Sequence, residues 1–204
     1  MDTDWAYLER YKVENRILKT EFDENRIVFI GDSIIAGWEK HSFFIENQNF
    51  INRGINGQTS SQILHRFQSD VLDLKPKIVV VLVGTNDVAE NLGPISLKEI
   101  QNNFKLMIEL AKVNGIKVIL CSILPVSNYY WNTKVKPLAK IKTLNKYLNS
   151  LANNLNVFYI DFYTALEKEN AMNTLFSEDG VHPNLAGYSI ISDILKKSKH
   201  FKTT

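Results

Sequence analysis

The chain has 204 residues, of which 45% are hydrophobic and 23% charged, and its formal net charge at pH 7 is +2. This composition is typical of a globular domain and excludes a disordered or fibrous protein. The near-neutral charge and the scattered lysines provide no basic groove, so we expect no nucleic-acid partner. A single cysteine, Cys121, excludes an internal disulfide or a cysteine-based metal cage. Its place within an apolar run predicts a buried thiol.

The N-terminal residues 1–5 have neither the basic nor the apolar region of a signal peptide. No apolar run approaches the ~20 residues of a membrane span. We therefore expect a cytoplasmic protein without a membrane span. If a leader had been removed from the chain, the same sequence would belong to a periplasmic or secreted protein.

Strand-like and helix-like segments alternate along the chain. The first segment, 1–22, is predicted to form an additional helix outside the main fold. Short apolar runs then predict five strands, at Arg26–Ile30, Phe50–Gly54, Lys77–Val83, Lys117–Ile123 and Val157–Asp161. The third run is continuously apolar and rich in β-branched residues, which is typical of a central parallel strand that is covered on both faces.

Between the strands, apolar residues recur at helical spacing over 63–71, 97–111, 141–155 and 188–195. Ser96 and Glu99 predict a capping box at the start of the second of these helices, and Gly115 predicts its end. Alternating strands and helices predict an α/β fold, a three-layer α/β/α sandwich around a five-stranded parallel sheet. No repeat or linker interrupts the pattern, so we expect a single domain over 1–204.

Ligands bind to sheets of this kind at the carboxyl ends of the strands, and polar clusters follow the first two strands there. The first strand ends in Gly31-Asp-Ser33, which exposes a serine hydroxyl at the start of a helix, where negative charge is favoured. A helix-capping serine is an equally good interpretation of this residue alone. The second strand leads to Gly57, whose N–H could approach an oxyanion closely because glycine lacks a Cβ. An ordinary turn glycine is the alternative.

Two further clusters complete the set. The third strand ends in Gly84-Thr-Asn-Asp87, where the carboxamide of Asn86 could aim its donors over the sheet edge. Before the last helix, Asp179 and His182 stand three residues apart in one loop. The carboxylate can then accept Nδ1–H of the imidazole and leave Nε2 free as a base. Together the clusters supply a nucleophile, an oriented base and oxyanion donors, which covalent acyl transfer requires.

The ordered set Gly31-Asp-Ser33, Gly57, Gly84-Thr-Asn-Asp87 and Asp179-Gly-Val-His182 resembles the SGNH hydrolases, or GDSL-like lipases and acylhydrolases. The match runs from about residue 26 to the last helix. The resemblance implies a flavodoxin-like fold, a catalytic triad of Ser33, His182 and Asp179, and an oxyanion hole formed by Ser33, Gly57 and Asn86. Acyl transfer by such a triad needs no metal and no organic cofactor, so we expect none. The serine lacks the Gly-x-Ser-x-Gly elbow of the α/β-hydrolases, which argues against that fold.

The overall pattern is similar to small family members that act on acetylated carbohydrates or acetylated phospholipids, including the platelet-activating-factor acetylhydrolases. We therefore expect a serine esterase for short-chain acyl esters of small molecules, chiefly acetyl esters, with an acetylated sugar as the candidate substrate. The enzyme alternative is a lysophospholipase or thioesterase for longer acyl chains, which requires an extended apolar groove. A catalytically silent binding module on the same fold is the remote alternative. The sequence leaves the oligomeric state open.

The loop 125–137 follows a central strand and is predicted to lie above the site. Its aromatic residues Tyr129, Tyr130 and Trp131 could stack on a sugar ring or enclose a short acyl chain. Packing of the loop itself is an equally good interpretation. Trp38, shortly after the proposed nucleophile, is a further candidate for the substrate pocket, and core packing is its alternative.

Overall fold

The structure, a computed structural model, describes residues 4–199 and 201. In this part of the chain, five parallel strands form the main sheet: β1 (Ile27–Gly31), β2 (Phe50–Gly54), β3 (Ile78–Leu82), β4 (Lys117–Cys121) and β5 (Phe158–Ile160). Their order is β2-β1-β3-β4-β5, which is the flavodoxin-like order. The predicted α/β class and the five-stranded parallel sheet are confirmed, with strand ends that differ by one or two residues at most.

The helices of the described residues are α1 (Lys12–Thr20), α2 (Ser33–Trp38), α3 (Ser42–Ile45), α4 (Ser60–Asp70), α5 (Thr85–Val88), α6 (Leu97–Val113), α7 (Pro137–Leu155), α8 (Tyr163–Leu166) and α9 (Leu185–Lys197). A 3₁₀ turn follows α4 at Leu72–Leu74, and the short strands β6 (Glu167–Lys168) and β7 (Ala171–Met172) form a hairpin. None of the helices in the described part of the chain has the length and apolar character needed to cross a membrane.

Helices cover both faces of the sheet, which explains why its central strand is apolar throughout. Side chains alternate between the two faces of a strand. In β3, Val79 and Val81 therefore join the core beneath α4, α6 and α7, whereas Ile78, Val80 and Leu82 join the core beneath α2, α3 and α9. These two cores and the sheet between them are the three predicted layers.

Local signals set the ends of α6 as predicted. The Ser96 hydroxyl accepts the Glu99 N–H at 3.1 Å, and the Glu99 carboxylate accepts the Ser96 N–H at 3.0 Å. These reciprocal bonds satisfy donors that the first turn of a helix leaves unpaired. Gly115 follows the helix with φ +74°, a left-handed conformation that favours glycine.

The N-terminal segment differs from the helix predicted over 1–22. Residues 4–11 form turns, α1 occupies only Lys12–Thr20, and residues 1–3 lie outside the described residues. The inner side of the segment packs Ala6, Tyr11 and Leu18 inward and is also held by buried polar contacts. Tyr11 donates its hydroxyl to Gly54 O at 2.5 Å, and Asn15 lies between Arg53 and Asp70 at 2.7 and 2.6 Å. These contacts attach the segment to the end of β2 and to α4.

Cys121 lies in β4 and is fully buried, as predicted. Burial raises the pKa of its thiol well above the ordinary value, because a thiolate loses its hydration there. The thiol is therefore a packing group.

Candidate active site

The carboxyl ends of β1, β2 and β3 lie level with one another. Gly31 at the end of β1 pairs with Gly54 of β2 on one side and with Leu82 of β3 on the other. The loops that leave these strands therefore start from one edge of the sheet, which brings together three of the four polar clusters in the sequence.

Ser33 is the first residue of α2 and its side chain is half-buried. The preceding Asp32 caps the helix, since its Oδ1 accepts the Ile34 N–H at 3.0 Å. This bond holds the turn that presents Ser33. The Ser33 Oγ lies 2.8 Å from Nε2 of His182, which comes from the loop before α9.

Asp179 orients His182 with one carboxylate oxygen and shapes the loop with the other. Its Oδ2 lies 2.7 Å from the imidazole Nδ1, whereas Oδ1 accepts the N–H groups of Val181 at 2.9 Å and His182 at 2.8 Å. Partial burial raises the pKa of Asp179, but the hydrogen bonds from His182 and Val181 outweigh it and lower the pKa to about 2. The carboxylate is therefore ionised at neutral pH and accepts the Nδ1 proton, which leaves Nε2 as the acceptor for Ser33 O–H.

The three residues predicted to supply oxyanion donors, Ser33, Gly57 and Asn86, line the same space. The Ser33 N–H is at the first position of α2, so its own helix offers it no acceptor. Gly57 has φ +76°, a backbone conformation that residues with a side chain rarely adopt. Asn86, in the short helix α5, is 3% exposed, and its Nδ2 donates to Gln58 O at 3.0 Å, which uses one of its two hydrogens.

These groups open onto a cavity of about 320 Å³. It is lined by Ser33, Asn56, Gly57, Asn86, Asn91, Tyr130, Trp131 and His182. A second cavity of about 400 Å³ adjoins the other side of the His182 loop. The first cavity alone contains both the serine and two predicted oxyanion residues, so it is the candidate active site.

Two of the four aromatic residues predicted to line the pocket do not reach it. Trp38 is 0% exposed, stacks on Phe43 and donates its indole N–H to Ser192 at 2.9 Å. Its place in α2 turns it away from Ser33 and into the core beneath α9. Tyr129 is also 0% exposed, and its hydroxyl contacts Thr85. These contacts agree with the alternative interpretations, which were core packing for Trp38 and packing of the loop for Tyr129.

The other two aromatic residues do lie at the cavity. Tyr130 is 63% exposed and Trp131 39% exposed, with ring centroids 4.7 Å apart in an edge-to-face arrangement. Tyr129 lies against Trp131 with its ring centroid 5.0 Å away. The buried tyrosine therefore supports the exposed tryptophan.

Asn56 and Asn91 line the cavity without having been singled out in the sequence. Asn56 precedes Gly57 and could have been found by extending that cluster by one residue. Asn91 stands beyond the Gly84–Asp87 motif, after Glu90, which has φ +61°. No local pattern distinguishes it from other loop asparagines.

Comparison with known proteins places this arrangement in a family. The sequence profile of the GDSL-like lipase/acylhydrolase family matches residues 29–190. A solved structure of a GDSL-like lipase from Bacteroides thetaiotaomicron is 40% identical, with a TM-score of 0.90, over 94% of this chain and 96% of that one. The esterase TesA of Pseudomonas aeruginosa is 28% identical over 136 residues, 67% of this chain and 62% of TesA. An acetylxylan esterase of Geobacillus stearothermophilus is 24% identical over 152 residues, 70% of this chain and 68% of that protein.

The chain spans about two thirds or less of the length of the curated relatives it matches. The family match is more extensive, since it covers most of the chain and runs from β1 into α9. It includes Ser33 at one end and His182 at the other, with Gly57 and Asn86 between them. This chain therefore belongs to the GDSL-like lipase/acylhydrolase family.

Proposed function

We propose that this chain is a serine esterase that hydrolyses short-chain acyl esters, acetyl esters in particular, through an acyl-enzyme on Ser33. The observation that carries the proposal is the line of hydrogen bonds from Ser33 through His182 to Asp179, at 2.8 and 2.7 Å. Both distances lie within the hydrogen-bond range that a general base requires to take a proton. Membership of an acylhydrolase family supports ester hydrolysis as the reaction.

In the acylation step, Ser33 Oγ attacks the ester carbonyl carbon while His182 Nε2 takes the hydroxyl proton. The carbonyl oxygen becomes an oxyanion that accepts hydrogen bonds from the N–H groups of Ser33 and Gly57 and from Nδ2 of Asn86. Loss of one such donor typically lowers kcat by a factor of about 10²–10³. The C–O bond to the alcohol then breaks, and protonated His182 gives its proton to the departing alkoxide.

In the deacylation step, a water molecule takes the place of the alcohol. His182 accepts one of its protons while the oxygen attacks the acyl carbon, and the same three donors hold the second oxyanion. The bond to Ser33 Oγ then breaks, and His182 returns the proton to the serine. Asp179 stays ionised throughout and stabilises the imidazolium that forms in each half of the cycle.

The lining of the cavity favours a short acyl group. Six of its eight residues present polar side chains or backbone, and only Tyr130 and Trp131 offer extended apolar surface. A long acyl chain needs a continuous apolar channel, because each buried CH₂ contributes about 0.8 kcal/mol. The lysophospholipase or thioesterase alternative therefore has less support than the short-chain esterase.

An acetylated carbohydrate is the substrate class that we favour. Tyr130 and Trp131 expose aromatic surface beside carboxamides at the mouth of the cavity. Aromatic surface combined with hydrogen-bonding groups suits the apolar faces and hydroxyls of a sugar ring. The similarity to an acetylxylan esterase supports the same substrate class.

The test compares wild type with Ser33→Ala in the hydrolysis of p-nitrophenyl esters from C2 to C12 and of acetylated xylo-oligosaccharides. We expect wild type to hydrolyse the C2 ester fastest. Ser33→Ala should lose at least about 10³-fold in kcat, because it removes the nucleophile that His182 activates. Ser150→Ala is the matched control, since Ser150 is exposed on α7 and its hydroxyl donates to Lys146 O at 3.0 Å. It should retain wild-type activity.

Three outcomes would contradict the proposal. Equal slow release by wild type and Ser33→Ala would leave a binding module as the better interpretation. A preference for C8 to C12 would favour the lysophospholipase or thioesterase alternative. Rapid hydrolysis of p-nitrophenyl acetate without deacetylation of the oligosaccharides would reject the carbohydrate substrate alone.

A further inference from the structure

A chain of hydrogen bonds joins Trp131 at the cavity mouth to the proposed oxyanion residues Gly57 and Asn86. The Trp131 indole N–H donates to Asn91 Oδ1 at 2.8 Å. Asn91 Nδ2 in turn donates to Asn86 Oδ1 at 2.8 Å and to Gly57 O at 3.3 Å. Asn91 therefore contacts Gly57 and Asn86, the two proposed oxyanion residues other than Ser33.

The donor types in this chain fix its direction. An indole nitrogen can only donate, so the oxygen of the Asn91 carboxamide must face Trp131 and its NH₂ group must face the other way. That NH₂ group then requires an acceptor, which directs the oxygen of Asn86 toward Asn91. The Asn86 NH₂ group consequently faces away from Asn91 and donates to Gln58 O at 3.0 Å, and Asn86 itself lines the cavity. A flipped Asn86 would present its oxygen to the oxyanion and would repel it.

We propose that Asn91 is a positioning residue for ester hydrolysis, which holds Asn86 and Gly57 in the donor orientation and is itself held by the N–H of Trp131. The inference rests on the proposed function and extends it. Trp131 then has two separable roles: its ring forms the substrate wall, and its N–H orients Asn91. Asn91 acts through Asn86 and Gly57 and need not touch the substrate.

The first test measures kcat and KM for p-nitrophenyl acetate in two variants of Asn91. Asn91→Ala removes the restraint but leaves Asn86 in place, so we expect kcat to fall about 10- to 10²-fold, less than the loss of a complete donor. Asn91→Asp keeps an acceptor for Trp131 but replaces both donated bonds with negative charge beside the oxyanion. Its kcat should fall further, by more than about 10²-fold. KM should change little in either variant.

The matched control is Asn132→Ala. Asn132 is the neighbour of Trp131, and its Nδ2 donates to Ala89 O at 2.9 Å, so it anchors the same loop without contacting Asn86 or Gly57. We expect wild-type kcat in this variant. An equal loss of kcat in Asn132→Ala and Asn91→Ala would mean that loop anchoring explains the effect, and it would overturn the proposal.

The second test separates the two roles of Trp131. Trp131→Phe keeps an aromatic wall and removes the N–H, so kcat should fall while KM stays within about twofold. In the Asn91→Ala background, the same change should have little further effect on kcat, because the bond it removes no longer exists. If the losses of kcat from the two single variants multiplied in the double variant, Trp131 would not act through Asn91.

Failure of this inference is distinguishable from failure of the proposed function. If wild type hydrolyses the ester, Ser33→Ala does not, and Asn91→Ala stays within about twofold of wild type, only the role of Asn91 is rejected. If wild type itself shows no activity that depends on Ser33, the proposed function fails and the role of Asn91 fails with it.

Discussion

Two buried carboxyl groups stand close to the proposed nucleophile and oxyanion residues. Asp32 is 0% exposed, and burial raises its pKa from 3.8 to about 7. Its Oδ1 caps α2, whereas Oδ2 is buried and accepts no hydrogen bond from the described residues. Asp87 is similarly buried, but both of its oxygens accept bonds from Ser60, and its pKa rises only to about 6. The difference agrees with the loss of hydration being less well compensated at Asp32.

The raised pKa of Asp32 predicts a pH-dependent contribution to stability. Between pH ~4 and ~7 the folded chain binds more protons at Asp32 than the unfolded chain, so the free energy of unfolding falls as pH rises through that window. Asn at this position can cap α2 without ionising. We expect Asp32→Asn to match wild type near pH 4 and to exceed it at pH 8 by up to roughly 4 kcal/mol, at about 1.4 kcal/mol per pKa unit.

Urea unfolding of both proteins from pH 4 to pH 8 measures this difference. Asp73→Asn is the control, because Asp73 is a surface carboxyl whose pKa is lowered instead of raised. A constant difference between wild type and Asp32→Asn over the whole range would reject the raised pKa of Asp32.

At the scale of elements, α4 connects the strand ends that carry the site. The guanidinium of Arg66 is fully buried and donates to Gly31 O at 3.0 Å and Arg53 O at 2.8 Å, the terminal parts of β1 and β2. It also donates to the side chains of Gln58 at 2.6 Å and Asp70 at 2.8 Å. Gln58 O in turn accepts the bond from Asn86. One helix residue therefore supports the end of β1, which leads to Ser33, and the loop that contains Gly57 and Gln58.

Two ion pairs with the same i,i+4 spacing allow this support to be measured. Arg66 and Asp70 are 0% and 2% exposed and 2.8 Å apart, whereas Lys105 and Glu109 are 51% and 44% exposed and 3.7 Å apart. We expect Arg66→Met to lower the free energy of unfolding by about 3–5 kcal/mol, because it removes the charge partner of the buried Asp70 carboxylate and one hydrogen bond from each of four buried acceptors. Lys105→Met should cost at most ~0.5 kcal/mol.

Urea unfolding at pH 7 gives both values. Arg66→Lys is a milder variant that keeps the charge but cannot reach all four acceptors, and its loss should lie between the other two. Equal stability of Arg66→Met and Lys105→Met would mean that the buried network adds nothing to the fold.

At the scale of the molecule, the two cores lie on opposite faces of the same sheet. Alternate residues of β1, β3 and β4 belong to one core and the residues between them to the other. Neither core can lose its strands without exposing the other, and polar contacts attach the N-terminal segment to β2 and α4. We propose on this basis that the chain folds as a single domain.

A single domain predicts one cooperative unfolding transition. Trp38 reports on the core beneath α9, whereas far-UV circular dichroism also reports on α6 and α7, the two longest described helices, which lie on the opposite face. In a variant with Trp5→Phe and Trp131→Phe, only Trp38 remains as a tryptophan. Its fluorescence and the circular dichroism should change at the same urea concentration. Two separated midpoints would reject the single domain.

The sequence by itself determined the strands, the layers and the positions of the polar clusters. Apolar alternation and helical spacing are local properties, and the capping box of α6, Ser96 and Glu99, lies within four residues. Carboxyl ends of parallel strands meet at one edge, so the clusters at Ser33, Gly57 and Asn86 could be assigned to one site before any distance was known. The loop with Asp179 and His182 was recognisable because both partners stand within one turn.

Only the tertiary structure decided which aromatic residues face the cavity and that Asn91 also lines it. Trp38 and Trp131 are the same amino acid, and the covering of Trp38 by α9 depends on a contact with Ser192, 154 positions away in the chain. Asn91 contacts Trp131 across 40 positions. No local pattern encodes such pairings, because they arise only when distant loops fold over the same sheet edge. The residue types of the candidate site are therefore recognisable in the sequence, whereas packing decides their orientation and which aromatic residues line the cavity.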